Sequence, residues 1–242
     1  MTTFLVDLAA NGLSPSTSTV EMAINSLPIY SAFYYAGAMR RASASEAYSV
    51  PVLMRAAIEC AGYAAHIIES EEAASAWVGR HREFAEEARA AAEESRTARL
   101  EVFFEGDTAG RQACRREFSI QNWQRSLANF MAHFPNGGPA VELLRRLYAV
   151  TLDTGAHPNI LMTLIGSQIH SSDVSDLPSI VHYPFTEDPV LIAADIENLF
   201  RVGSALARVL MAIRHPPQGN AALLERLTAL EQEFFASTQS FL

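Results

Sequence analysis

The chain has 242 residues, 49% of them hydrophobic, with a formal net charge of −9 and two cysteines. A chain of this length and composition buries a full core without a disulfide or metal staple. All eighteen basic residues are arginine, and the absence of lysine excludes Schiff-base chemistry, pyridoxal phosphate anchoring, a Walker A site and the phosphate-binding lysine of kinases.

Charge is uneven: residues 1–79 hold 3 arginines against 7 acids, residues 80–149 hold 11 against 10, and residues 150–242 hold 4 against 10. The acidic total disfavours general duplex DNA binding through phosphate neutralisation and leaves a local arginine patch in the middle third as the basic feature. Cys60 and Cys114 lie in helical patterns with no paired framework. The N-terminal FLVDLAA run is short, carries Asp7 and lacks a basic leader, so it reads as neither export signal nor membrane span. A reducing cytoplasm is the expected compartment, with no membrane association.

Taken in order, residues 1–16 read as a flexible arm ending in the turn-rich GLSPSTS, and residues 17–242 as one helical-bundle domain. Ser18 with Glu21 forms a capping box, and the helix it starts meets Pro28, which should kink or interrupt it. Beyond it, Tyr30, Phe33, Tyr34, Tyr35 and Met39 make an aromatic-rich surface expected to pack in the core.

The stretch from Val50 to Glu69 organises the rest. Pro51 suits a first helical turn, where its missing N–H costs nothing. At about 100° per residue Arg55, Glu59, Gly62 and His66 fall on one stripe, and nearly all else around the wheel is apolar or alanine. A helix so apolar on its other sides reads as the central or near-central helix of a bundle.

Ser70 followed by Glu71 and Glu72 starts a helix that can run to Phe104, with alternating acids and arginines marking a solvated, ion-paired face or, on the sharper reading, an interaction surface. GDTAG breaks the pattern, Thr108 caps a helix from about Arg111 to Phe134, and PNGGP turns the chain into a helix opened by Pro139 and ended by Gly155. Around 166–185, SQIHSS and SIVHYPF alternate weakly about VSDLP, as a short hairpin or an ordered loop. Thr186 caps a helix to Arg214, and Asn220 caps the last one. The fold class is all-α, a bundle of six to eight helices.

Two stretches carry candidate chemistry. Arg55 and Glu59 stand one turn apart with His66 on the same stripe; facing solvent they are a polar edge, and facing a cleft they become ligand or acid/base groups, with Gly62 allowing close approach. In LYAVTLDTGAHPN, Gly155 and Pro158 hold His157 in a loop, where it either serves a site or, with Asn159, caps the next segment. No HExxH, paired CxxC, GxGxxG, GxSxG or Glu-x-x-His motif occurs. His170, Asp173, Asp176 and His182 read as a solvated polar set, so no metal and no cofactor is expected.

Leu53, Arg55 and Glu59 in an apolar helix, then Trp77 with Arg80, then distant Tyr148 and a Gly-Ala-His-Pro-Asn loop resemble a group of uncharacterised bacterial helical proteins similar to the HEPN-like (higher eukaryote and prokaryote nucleotide-binding) bundles. The resemblance covers roughly residues 30–160. It implies a homodimer and an RNA or nucleotide-like ligand. Active members are homodimeric ribonucleases that place an arginine shortly before a histidine at the dimer cleft. No arginine stands so before His157, and the formal fit, Arg208 ahead of His215, lies on a stripe with Glu197, Arg201 and Ser204 that looks solvated. The resemblance therefore implies fold and dimer more than nuclease activity.

The leading expectation is a non-enzymatic binding protein whose polar cleft gathers Arg55, Glu59, His66, Tyr148, His157 and Asn159 around RNA or a small polar ligand. One alternative is a metal-independent ribonuclease of toxin or phage-defence type, with His157 as general base, Arg55 stabilising phosphate charge and Glu59 as a further catalytic candidate. The other is a purely structural partner-binding protein.

Overall fold

The computed structural model describes residues 1–11, 15–44, 49–94, 108–151, 167–170, 179–182, 189–215 and 219–239. Among them the chain is an all-α bundle of nine helices with one short hairpin. The helices are α1 (Thr2–Ala10), α2 (Thr19–Ser43), α3 (Val50–Glu69), α4 (Glu71–Glu94), α5 (Ala109–Glu117), α6 (Ile120–Met131), α7 (Gly137–Thr151), α8 (Pro189–Arg214) and α9 (Ala221–Gln239). Strands β1 (Ser167–His170) and β2 (Ser179–His182) pair antiparallel, with Ser167 opposite His182 and His170 opposite Ser179. His170 and His182 thus lie three ladder positions apart rather than facing each other. Asp173, Asp176 and the capping residues Gly155 and Thr186 lie outside the described residues.

α3 is the central helix, as its composition requires. It touches α2, α4, α6, α7 and α8, and Met54, Ala57, Ile58, Ala61, Gly62, Ala64, Ala65, His66 and Ile67 are all buried on it. Small residues let its neighbours come close: Ser31 of α2 donates to the Ala57 carbonyl at 2.8 Å. A Cβ at Gly62 would fall on the six-membered ring of Trp123 from α6. The gap left by that glycine is filled by an indole, not by a ligand.

Several local signals act as expected. Ser18 accepts from the Glu21 amide at 3.1 Å, while the Glu21 carboxylate reaches back to the amide and hydroxyl of Thr17 at 2.6 and 2.7 Å. Ser70 caps α4 through the Ala73 amide, and Thr108 caps α5 through that of Arg111. The PNGGP turn places Asn136 at φ 56°, a left-handed conformation that asparagine tolerates better than most residues.

Other boundaries differ. Residues 2–10, expected as part of a flexible arm, form α1 with Phe4, Leu5, Leu8 and Ala9 buried against α2 and α8. Burying each large apolar side chain is worth about 1.5–3 kcal/mol, which offsets the ordering of so short a helix. α2 runs through Pro28 unbroken. The helix expected over 111–134 is two, parted at Phe118 and Ser119, which with α1 raises the number above six to eight. Asn220 precedes α9, but its side chain donates back to the His215 carbonyl at 3.4 Å. The aromatic set on α2 divides: Tyr35 is fully buried, Tyr34 and Met39 pack at the edge of the core, and Tyr30 and Phe33 are exposed.

Gly62→Ala is expected to cost about 1–3 kcal/mol because Trp123 must move, whereas Gly79→Ala, in α4 with nothing within 4 Å of its Cβ position, should gain about 0.5–1 kcal/mol. Urea unfolding of the two variants beside the parent measures both, and equal shifts would refute the close approach of Trp123.

Candidate functional site

α3 places Arg55 and Glu59 on successive turns, and the Arg55 Nε donates to Glu59 Oε1 at 3.0 Å. The same Oε1 accepts the Tyr148 hydroxyl of α7 at 2.6 Å. Tyr148 is buried; its ring lies under the Arg55 guanidinium, 5.5 Å from the centroid, and meets the Trp123 ring at its edge, 5.1 Å away and at 81°. Tyr63, one turn past Glu59, packs edge-on against Trp123 at 6.2 Å. The acid and the base are each about a quarter exposed, 24% and 25%, so the pair is held by a buried wall and reached by solvent from one side.

The electrostatics of the neighbourhood centre on the Glu59 carboxylate. Burial, then the hydrogen bond and charge of Glu59, hold the Tyr148 phenol well above its ordinary range. Burial acts against the Arg55 charge, but the hydrogen bond and charge of Glu59 outweigh it and raise that group. Cys60 and Tyr63 are each pushed up to about 12, by burial first and then by Glu59. Tyr148 is accordingly a fixed donor, and Glu59 Oε1 has its lone pairs engaged by two donors. That arrangement orients groups for recognition; it does not leave Oε1 free to take a proton.

The structure brings together Arg55, Glu59 and Tyr148, three of the six residues named from the sequence. His66 is engaged elsewhere. Its Nδ1 lies 2.8 Å from Ser126 Oγ of α6 and its Nε2 3.0 Å from the Glu117 carbonyl that ends α5. Because a carbonyl only accepts, Nε2 carries the proton and donates, and in the neutral ring Nδ1 accepts from Ser126. His66 thus satisfies an orphan carbonyl at a helix end. His157 and Asn159 lie outside the described residues.

Trp123 and Tyr63 are the members that the sequence reading did not assign to the site. Trp123, Leu127 and Met131 recur at four-residue spacing and mark a buried face, but nothing in that spacing tells which helix the face meets. The Arg208 stripe needs a partial correction. Glu197 and Arg201 are exposed, but Arg208 is largely buried and binds Glu231 of α9 at 2.9 and 3.2 Å, with Ser204 bonded to both. It is a two-pronged clamp between α8 and α9. A surface groove of about 600 Å³, lined by Glu71, Glu72, Ser75, Arg116 and Glu117 among others, shares no residue with the Arg55 cluster. Among the described residues no cluster of three or more potential metal ligands occurs, and no helix is long and apolar enough to cross a membrane.

Tyr148→Phe is expected to cost about 1–2 kcal/mol, since a charged acceptor loses a donor but stays within reach of water. Its effect and that of Glu59→Gln should be non-additive by more than about 0.5 kcal/mol in a double-mutant cycle; additivity would mean that the 2.6 Å bond does not form. Alkali supplies a second measurement. The folded values of Cys60 and Tyr63 lie above the ordinary 9.0 and 10.0, so the native state holds protons that the unfolded chain releases. Their contribution is whole below about pH 9 and is lost as the pH rises from there towards about 12. The urea midpoint should fall across that window, and Cys60→Ala should flatten the first part of the fall. No family model, curated protein or solved structure matches the chain.

Proposed function

We propose that this chain is a HEPN-like, homodimeric binding protein of the cytoplasm, and that the Arg55–Glu59–Tyr148 cluster receives an anionic polar ligand of RNA or nucleotide type. The observation that carries this reading is the way in which Glu59 holds Arg55. The bond uses Nε, a further hydrogen bond ties the guanidinium to Tyr148, and the side chain stays a quarter exposed, so a guanidinium held in place stands at a solvent-reached edge. A guanidinium so fixed meets a phosphate or carboxylate with its remaining N–H groups and loses little side-chain freedom in doing so. We assign the second oxygen of the Glu59 carboxylate as the acceptor for a ligand hydroxyl or amine. Cys60 and Cys114 are both free thiols, in keeping with a reducing compartment.

Fluorescence anisotropy with a labelled single-stranded RNA oligonucleotide, competed by nucleoside monophosphates, tests the proposal. Arg55→Met should weaken binding at least about tenfold, or roughly 1.4 kcal/mol. Arg146→Met, at a position whose side chain is 76% exposed, should change it less than about twofold. Equal affinity of the Arg55→Met variant and the parent would end the assignment. Cleavage of the oligonucleotide that disappears with Arg55→Met would replace binding by the ribonuclease alternative.

A further inference from the structure

Four of the eight large apolar side chains left exposed among the described residues belong to α2: Met22 at 43%, Ile29 at 39%, Tyr30 at 53% and Phe33 at 61%. At about 100° per residue Met22, Ser26, Ile29, Phe33 and Arg40 fall within about 60° of one another. The inner face of the helix, through Ala23, Leu27, Ser31, Tyr35, Ala38 and Ala42, is buried in the bundle. Single exposed apolar residues are ordinary, but a row of them along one face marks a contact surface.

We infer that this face of α2 pairs with α2 of a second copy, antiparallel, about a two-fold axis level with Ser31. The row is symmetric about that level. Ile29 and Phe33 stand two residues to either side of it, Ser26 and Ala36 five, and Met22 and Arg40 nine. An antiparallel mate sets each Ile29 against the other copy's Phe33, and each Met22 against the aliphatic stem of the other copy's Arg40, so one patch complements itself as an isologous contact requires. Ser26 and Ala36 lie between the large residues and let the helices approach.

Charge selects the same orientation. Exposed Glu21 stands at the start of α2 and exposed Arg40 and Arg41 at its end. The antiparallel pairing brings Arg40 level with the end that carries the other copy's Glu21, and a parallel one would stack Arg40 on Arg40. One helix pair is a small contact beside the roughly 800 Å² per partner of a standard interface, so the dimer is expected to be reversible. The pairing gives a surface to the self-association proposed above and draws nothing from the Arg55 cluster.

Sedimentation velocity from low micromolar to about 100 micromolar protein tests it, with circular dichroism to verify the fold of each variant. The parent should dimerise, Phe33→Asp should weaken the dimer at least about tenfold, and Glu21→Arg and Arg40→Glu should each weaken it while the double variant recovers most of the loss. A parent that stays monomeric, or a dimer indifferent to Phe33→Asp, overturns the inference and leaves the face to a different partner. Loss with Phe33→Asp but no recovery in the charge exchange overturns the antiparallel register. Nucleotide affinity measured on Phe33→Asp separates the two proposals, since the Arg55 cluster binds or fails to bind independently of this face.

Discussion

The bundle depends on how one charged pair is kept on its central helix. α3 packs against α2, α4, α6, α7 and α8, and a carboxylate and a guanidinium on such a helix are tolerated only where each finds a partner and some water. The i, i+4 spacing of Arg55 and Glu59 lets them satisfy each other within one helix, and α7 completes the arrangement by bringing Tyr148 to the same carboxylate oxygen. Trp123 then closes the apolar side, resting on Gly62 and against Tyr148. Replace the glycine with a larger residue and the indole is displaced, and the wall behind the pair goes with it. The polar cluster and the packing at the centre are therefore one structure.

Elsewhere the helices are tied by the same device in smaller doses. His66 joins α3 to the end of α5 and to α6, Arg208 joins α8 to α9, and Arg214 reaches from the end of α8 to the side chain and carbonyl of Asn25 on α2. Each is a partly or wholly buried polar group whose partner sits on a different helix. Such bonds add little net stability against an apolar replacement. Their effect is on register, because sliding either helix by one turn leaves a buried donor or acceptor unpaired.

Much of this was legible in the residues. A twenty-residue helix with one polar stripe could only be central, and Ser18, Ser70 and Thr108 announced the helices that they cap. What failed depended on information that periodicity lacks. Phe33 and Tyr35 have similar side chains and stand two positions apart, but the helix turns by about 200° between them, which buries one and exposes the other. His66 and Arg55 share a stripe on a wheel, yet eleven residues of rise set them at different levels, against different neighbours. Residues 1–16 read as an arm because they end in the turn-rich GLSPSTS; the order of α1 comes from the groove that α2 and α8 offer to Phe4 and Leu5. Arg208 looked solvated because its acid, Glu231, belongs to the next helix and lies beyond any local spacing rule.

If the Arg55 cluster receives an anionic ligand as proposed, the acidic character of the chain narrows what that ligand can be. With a net charge of −9 there is no long-range attraction for phosphate, so affinity for an anion must arise at contact from donors already in position. Glu59 supplies that positioning and also cancels the charge of Arg55, which lowers the attraction for a bare anion such as phosphate itself. On that proposal a ligand gains most when it presents an oxyanion to the guanidinium edge and a donor to the second oxygen of Glu59 together. Among phosphate-bearing molecules that pairing belongs to those with hydroxyl or amino groups near the phosphate, and nucleotides and RNA chains carry both. Inorganic phosphate, which matches only half of the site, should then compete poorly, because its second contact would set an anion against a carboxylate.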